Sequence, residues 1–279
     1  MCCKDWRCKV SDYYANRALS HSKLSCLAEN PMEFKMRYVD DPPTLPPKES
    51  DAFAMGHAVH CLALEPESFS DRFFVLPKID RRTKEGKAAY KKIQEASKSK
   101  TLLDGDDYAD AIACVQALNN HAEFATIMAQ PKRVEVPFEF DLFGHRFKAK
   151  PDCIVDSMRL IVDIKTTDDA SPHKWQWPAV DYGYHRQAYI YQQAVQLETN
   201  EWYRFIFAVV EKPKSSTRGI PPTVALYELI DETLLMGRHD AQMLVEEYEK
   251  RIETNNWQQP FSSGIVPLRL PKRRVYEEE

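Results

Sequence analysis

Two aspartates and a lysine near the middle of the chain have types and spacing that suit metal-dependent hydrolysis. They are Asp152, Asp163 and Lys165, in the segment KPDCIVDSMRLIVDIK. Two carboxylates at one point form a hard oxygen site for Mg²⁺ or Mn²⁺, ions that also bind substrate phosphate. A neighbouring ammonium group can hold or activate the attacking water and offset charge that develops on phosphorus. A surface hairpin with an Asp–Lys ion pair is the alternative interpretation.

A β-hairpin is the element that must position these groups. Residues 160–165 are apolar and β-branched, which predicts a buried strand with Asp163 and Lys165 on the same face. Residues 146–155 predict the preceding strand, and a turn-forming segment between the two folds one strand back on the other. We therefore expect Asp152 to lie beside Asp163.

Two further motifs flank this hairpin. A helix predicted over residues 51–64 carries Gly56 and His60, and a helix predicted over residues 181–197 carries Gln187 and Tyr191. Each pair is spaced by four residues, so its members share a helix face. A lone histidine is more often structural than a ligand, and amphipathic helices often carry Gln and Tyr for solubility. Each motif is therefore ambiguous by itself.

The motif order G-x-x-x-H, P-D, D-x-K, Q-x-x-x-Y resembles the PD-(D/E)xK nuclease superfamily, in its RecB-like branch. The flanking text, which includes SHSKL at 20–24, GHAVHCLALEP at 56–66 and DIKTT at 163–167, is similar to the C-terminal nuclease domain of the RecE (exonuclease VIII) family. The resemblance covers roughly residues 18–260. The third motif has Asp where Glu is more frequent in the family, which shortens the reach to a metal by one carbon.

The resemblance implies a Mg²⁺-dependent exodeoxyribonuclease, with Mn²⁺ as a substitute ion, that digests linear double-stranded DNA from its ends to give single strands for recombination. It also implies 5′ to 3′ polarity, a homotetrameric ring and a RecT-type single-strand annealing partner. A catalytically silent DNA-binding accessory and a related endonuclease or junction resolvase remain alternatives.

The same resemblance assigns roles to individual residues. Candidate metal ligands are Asp152, Asp163, the backbone carbonyl of Ile164, His60 and, more weakly, Glu135. Lys165 would position or deprotonate the attacking water. Gln187 and Tyr191 would order the phosphate and its water.

The predicted elements indicate an α/β (α+β) fold, in which a mixed central sheet is flanked by helices under an N-terminal helical cap. We expect one domain over residues 18–260, a tail or linker remnant over 1–17 and a tail over 261–279. Residues 133–140 predict a strand with Glu135 and Glu139 on one face, and prolines at 172 and 178 predict an irregular link. Trp175 and Trp177 in that link either stack on bases at a frayed DNA end or fill the core.

Bulk composition narrows the class of protein. The chain has 279 residues, a formal charge of −4 and 43% hydrophobic residues. No apolar run approaches the ~18 residues of a membrane span, and no secretion signal begins the chain, so we expect a cytoplasmic protein. The seven cysteines show no paired C-x-x-C spacing, which predicts neither a zinc site nor an iron–sulfur cluster.

Because the net charge is negative, contact with DNA phosphate must come from local basic patches. The segment 78–100 carries nine basic residues against three acids, and a proline-rich loop at 212–222 is also basic. From Lys91 onward a solvated helix is the preferred interpretation. The DNA-binding candidates in the two segments are Arg81, Arg82, Lys84, Lys212, Lys214 and Arg218.

Overall fold

The computed structural model describes residue 13 and residues 16–46, 54–80, 82–214, 219–259, 261–262 and 264–267. Its strands are β1 (Phe73–Val75), β2 (Thr101–Leu103), β3 (Arg133–Val134), β4 (Phe138–Leu142), β5 (His145–Ala149), β6 (Cys153–Val155), β7 (Leu160–Thr167), β8 (Arg204–Glu211) and β9 (Val224–Glu228). Its helices are α1 (His21–Glu29), α2 (Pro31–Phe34), α3 (Ala54–Leu64), α4 (Phe69–Arg72), α5 (Lys84–Ala96), α6 (Gly105–Asn120), α7 (Ala122–Met128), α8 (Pro172–Asp181), α9 (Tyr184–Thr199) and α10 (Asp231–Thr254).

A mixed five-stranded sheet forms the centre of the fold, in the order β3-β6-β7-β8-β9. β7 and β8 are parallel, and the other neighbouring pairs are antiparallel. Two further pairs, β1 with β2 and β4 with β5, lie outside this sheet. The predicted fold class, a mixed sheet flanked by helices, is confirmed. None of the helices in the described ranges has the length and apolar character that crossing a bilayer requires.

Both faces of the central sheet are covered by helices. Ile161 of β7 and Phe207 of β8 pack with residues of α1, α9 and α10 on one face. Val162 and Ile164 of β7 pack with residues of α3, α6 and α7 on the other. Side chains alternate along a strand, so Asp163 shares the face of Ile161, which is the face that α9 covers.

The segment predicted as one strand over 133–140 is broken, and the prediction that Glu135 and Glu139 share a face is wrong. β3 ends at Val134 because Glu135 adopts a left-handed backbone, with φ of 53°. β4 then pairs with β5 in a separate hairpin. The predicted strand over 146–155 is likewise divided into β5 and β6, at Pro151, which has no N–H to donate to a strand ladder.

These two breaks place Glu135 against Asp152, the residue just before β6. The backbone N–H of Glu135 donates to the carbonyl oxygen of Asp152 at 3.1 Å. Two acidic residues therefore lie together at the end of β3 and β6, where neither belongs to a regular strand.

The predicted irregular link after β7 is also wrong, because Pro172–Asp181 forms α8. Pro172 occupies the first turn, where a missing N–H costs no helical hydrogen bond. Trp175 is buried, and its ring stacks on Tyr227 at 4.8 Å between centroids. Trp175 therefore fills the core, whereas Trp177 is 57% exposed.

A close helix crossing supports the face of the sheet that carries Asp163. A Cβ atom on Gly237 of α10 would lie 2.2 Å from the carbonyl oxygen of His185 on α9. We expect Gly237→Ala to lower the free energy of unfolding by about 1–3 kcal/mol, because a backbone atom cannot rotate away from the added methyl group. Urea denaturation followed by circular dichroism measures this change.

Gly56→Ala in α3 is the matched control. A Cβ there would meet Oγ1 of Thr166 at 3.4 Å, an ordinary contact. Since Ala is favoured over Gly inside a helix, this variant should be neutral or slightly more stable. Equal destabilisation by both substitutions would contradict the assignment of the crossing to Gly237.

Candidate active site

The β6–β7 hairpin places the two predicted acids side by side. Cys153 pairs with Val162, so Asp152 and Asp163 stand at the next position beyond this pair. The backbone N–H of Ile164 donates to Oδ2 of Asp152 at 2.9 Å, which fixes this carboxylate against β7. Both side chains are buried, Asp163 to 1% exposure.

Lys165 and Gln187 hold the carboxylate of Asp163 from two sides. Nζ of Lys165 lies 2.5 Å from Oδ1, and Nε2 of Gln187 donates to Oδ2 at 2.8 Å. The Lys165 ammonium also lies over the ring of Tyr184, 4.7 Å from its centroid. Tyr191 lies one turn along α9 from Gln187, on the same helix face. The structure thus brings together the D-x-K and Q-x-x-x-Y residues predicted from the sequence.

His60 and Glu135 complete the cluster on the side of Asp152. Nδ1 of His60, on α3, lies 3.1 Å from Oδ2 of Asp152. Glu135 forms an ion pair with Lys150. One ligand atom each from His60, Glu135 and Asp152 lies within 4.8 Å of the others. Glu135, which the sequence indicated least strongly as a ligand, is therefore close enough to Asp152 for both to bind one ion.

The two aspartates have pKa values that move in opposite directions. Burial, reinforced by the charge of Asp152, raises the pKa of Asp163 to about 6 although Lys165 opposes this rise. Burial also acts to raise the pKa of Asp152, but the charge and hydrogen bond of His60 outweigh it, and the pKa is lowered. Asp152 is therefore the more readily ionised acid of the pair.

The two basic partners of the aspartates, Lys165 and His60, both have raised pKa values. Burial acts to lower the pKa of Lys165, but the charges of Asp163 and Asp152 outweigh burial and raise the pKa. The pKa of His60 is raised against burial in the same way, by Asp152. Lys165 is thus a positive charge at neutral pH, which favours holding water and phosphate over removing a proton.

Lys150 and Tyr184 contact the cluster but were not predicted from the sequence. Lys150 precedes the P-D motif directly and neutralises Glu135. Tyr184 lies three residues before Gln187 on α9, a spacing that places both on one helix face. This spacing could have indicated Tyr184 from the sequence. The ion pair of Lys150 with Glu135 could not be predicted in the same way, because it depends on the break in the strand at Glu135.

Four of the six DNA-binding candidates lie in the described parts of the chain. Arg82 pairs with Asp80 at 2.9 Å, and Lys212 pairs with Asp168 at 2.7 Å. Lys84 and Lys214 are exposed. Arg81 and Arg218 lie outside the described residues. The role of all six in DNA binding stays a prediction.

The arrangement of Asp152, Asp163 and Lys165 agrees with the protein family that comparison with known proteins identifies. The family model described as a PDDEXK-like domain of unknown function (DUF3799) matches residues 20–266. The chain belongs to this family. Its membership places the chain in the PD-(D/E)xK nuclease superfamily, and the match does not single out the RecE family within it. Among curated proteins, none matches the sequence.

Two solved structures are similar to this PDDEXK-like domain at low sequence identity. A candidate exonuclease from Eubacterium rectale is 14% identical, with a TM-score of 0.63 over 97% of this chain and 96% of its own. A phage-related exonuclease from Haemophilus somnus 129PT is 14% identical, with a TM-score of 0.34 over 62% of this chain and 84% of its own. The first likeness shows a common fold along nearly the whole of both chains.

The cluster of this PDDEXK-like domain has the donor atoms that a hard divalent ion requires. His60, Glu135 and Asp152 bring one imidazole and two carboxylates within reach of one ion, and the carboxylate of Asp163 lies beside Asp152 across the β6–β7 hairpin. Carboxylate oxygen suits Mg²⁺ and Mn²⁺, and the imidazole is compatible with Mn²⁺. The residues present therefore fit the metal that the superfamily uses.

Proposed function

We propose that this protein is a metal-dependent deoxyribonuclease that hydrolyses phosphodiester bonds from the ends of linear double-stranded DNA. One observation carries the proposal: two buried carboxylates, from Asp152 just before β6 and Asp163 on β7, meet beside the ammonium group of Lys165. A buried charge cluster of this kind destabilises a fold unless it has partners, and its geometry suits phosphoryl transfer.

Asp152 and Asp163 would hold the divalent ion, with His60 and Glu135 as further ligands and the carbonyl oxygen of Ile164 available to it. Mg²⁺ or Mn²⁺ bound there would lower the pKa of the attacking water and place positive charge beside the phosphate. Lys150 balances the charge of Glu135.

The remaining residues position groups and neutralise charge. Lys165, kept protonated by the two acids, would hold the attacking water and stabilise charge on the phosphate oxygens. Gln187 fixes the rotamer of Asp163 through the hydrogen bond to Oδ2. Burial raises the pKa of Tyr191 well above its usual range, so its hydroxyl keeps its proton. It would donate a hydrogen bond to the phosphate or to the attacking water.

The finer features of the proposal rest on the resemblance to RecE-type nuclease domains. Action at DNA ends with 5′ to 3′ polarity, a ring-shaped homotetramer and a RecT-type annealing partner in recombination are features of the RecE-type domains that the sequence resembles. The description of the Eubacterium rectale neighbour as a candidate exonuclease agrees with action at ends.

Digestion of matched linear and covalently closed DNA tests the proposal. We expect Mg²⁺-dependent release of label from 5′-labelled linear duplex before 3′ label, no cutting of the closed circle, and no cleavage by Asp163→Asn. EDTA should abolish the reaction. Equal cutting of the circle would indicate the endonuclease, and salt-sensitive binding without cleavage would indicate the silent DNA-binding protein.

A further inference from the structure

A cavity adjoins the acidic cluster at the end of β7. It has a volume of 280 Å³. Thr166 and Thr167, which follow Lys165 in β7, form one wall, and Trp175 and Pro178 of α8 form another. The volume is close to the lower end of the range for small-ligand sites, about 300–1,000 Å³. A single planar ring system with part of its sugar is a ligand of suitable size.

One aromatic ring connects this cavity with the candidate active site. Tyr184 lines the cavity, and the Lys165 ammonium lies 4.7 Å from the centroid of the same ring. A DNA strand whose phosphate contacts Lys165 would therefore have a neighbouring nucleotide at the cavity.

The lining combines aromatic surface with balanced charge. The rings of Tyr182 and Tyr184 are 5.7 Å apart between centroids, and Tyr182 is 55% exposed. Two lysines at the cavity, Lys174 and Lys212, face two aspartates, Asp168 and Asp169. Lys212 pairs with Asp168 at 2.7 Å. A neutral rim around aromatic rings suits an uncharged flat group better than a free phosphate.

We propose that this cavity holds one unpaired nucleobase of the strand being cut, from a nucleotide adjacent to the scissile phosphate. The base would stack on Tyr182 and Tyr184, an interaction available to every base and therefore independent of sequence. The inference rests on the proposed nuclease function for the identity of the strand. It adds a reason why action begins at ends, where a terminal base unpairs most readily.

Duplexes with one abasic nucleotide test the cavity directly. The abasic residue is placed at the terminal or the second position of either strand, and single-turnover cleavage with Mg²⁺ is compared with that of the intact duplex. We expect wild-type protein to cut one abasic duplex about tenfold more slowly. Tyr182→Ala should cut the intact and abasic duplexes at the same reduced rate, whereas Tyr182→Phe should retain the wild-type difference.

Trp177→Ala is the matched control, since Trp177 is 57% exposed on α8, which forms one wall of the cavity, but is outside the cavity lining. It should preserve the difference between duplexes. Equal wild-type rates on all duplexes, or a difference that survives in Tyr182→Ala, would overturn the proposal.

Binding of the same duplexes in Ca²⁺, followed by fluorescence anisotropy, separates this inference from the proposed function. Absence of all cleavage would refute the nuclease assignment alone. In that case the cavity proposal stands if loss of the base weakens binding to wild type but not to Tyr182→Ala. It is refuted if the base makes no difference to wild-type binding.

Discussion

Lys165→Met is expected to slow DNA cleavage by about 10²- to 10³-fold while duplex affinity changes little. The substitution removes the ammonium group 2.5 Å from Oδ1 of Asp163 and keeps an unbranched side chain that can pack on Tyr184. Because the charges of the two acids raise the pKa of Lys165, the lost group is a cation. Single-turnover cleavage in Mg²⁺ and anisotropy in Ca²⁺ measure the two quantities.

Lys91→Met provides the control for removing a lysine. Lys91 is exposed on α5 and belongs to the part of the basic segment interpreted as a solvated helix. It should cleave at close to the wild-type rate. If Lys165→Met retained activity within tenfold of wild type, phosphate charge would have to be neutralised by other groups. The assigned role of Lys165 would then be wrong.

A pH profile can distinguish the two roles that the sequence left open for Lys165. A lysine that deprotonates water must lose its proton, so its pKa should lie near the working pH. Here the acids outweigh burial and raise the pKa. The structure therefore favours charge neutralisation, a conclusion that residue types and spacing alone did not reach.

The parts of the site that lie on regular elements were predictable from the sequence. Alternation along residues 160–165 placed Asp163 and Lys165 on one face of a strand, and the four-residue spacing of Gln187 and Tyr191 placed both on one face of a helix. Periodicity is a property of local backbone geometry, so a local pattern is enough to reveal it. The hairpin that brings Asp152 beside Asp163 was predicted from the same kind of local pattern.

The parts that depend on a break in regular structure were not predictable. Glu135 reaches Asp152 because a left-handed residue ends β3 and because β5 and β6 separate at Pro151. Alternating residues in both segments gave a uniform strand pattern, which hid these breaks. A left-handed Glu costs free energy locally and is maintained by tertiary contacts that no short window of sequence contains.

The helix α8 shows the opposite error. Two prolines suggested an irregular link, yet Pro172 stands in the first turn and the buried ring of Trp175 stacks on Tyr227 of β9. Packing of one large aromatic residue thus overrode a local preference against helix. The same packing forms the wall of the cavity beside Lys165, so a feature that local preference opposed shapes the surface next to the candidate active site.

Divalent ions are expected to stabilise the folded protein, and Asp152→Asn should remove most of that effect. Burial and the charge of Asp152 hold the pKa of Asp163 at about 6, so ionised Asp163 opposes folding until a cation neutralises it. Mn²⁺ at about 100 times its dissociation constant should add roughly 2.7 kcal/mol to the free energy of unfolding. Differential scanning calorimetry with and without the ion measures the increase.

Acidification should weaken this stabilisation, and the sign follows from Asp163. Its folded pKa lies above the ordinary value of 3.8, so protonation stabilises the ion-free fold at low pH, and that contribution is lost as the pH rises through about 6. Protons and metal compete for the same carboxylate. The Mn²⁺-induced rise in melting temperature should therefore be largest above pH 6 and shrink below it.

Asp141→Asn is the control for removing an acid, because Asp141 lies on β4 with 77% of its side chain exposed. Its response to Mn²⁺ should match that of wild type. An equal response in Asp152→Asn would place the ion elsewhere on the protein. The comparison uses the ion-induced change within each variant, so a difference in basal stability does not affect it. It therefore tests the convergence of Asp152 and Asp163 on one cation without requiring any DNA to be cut.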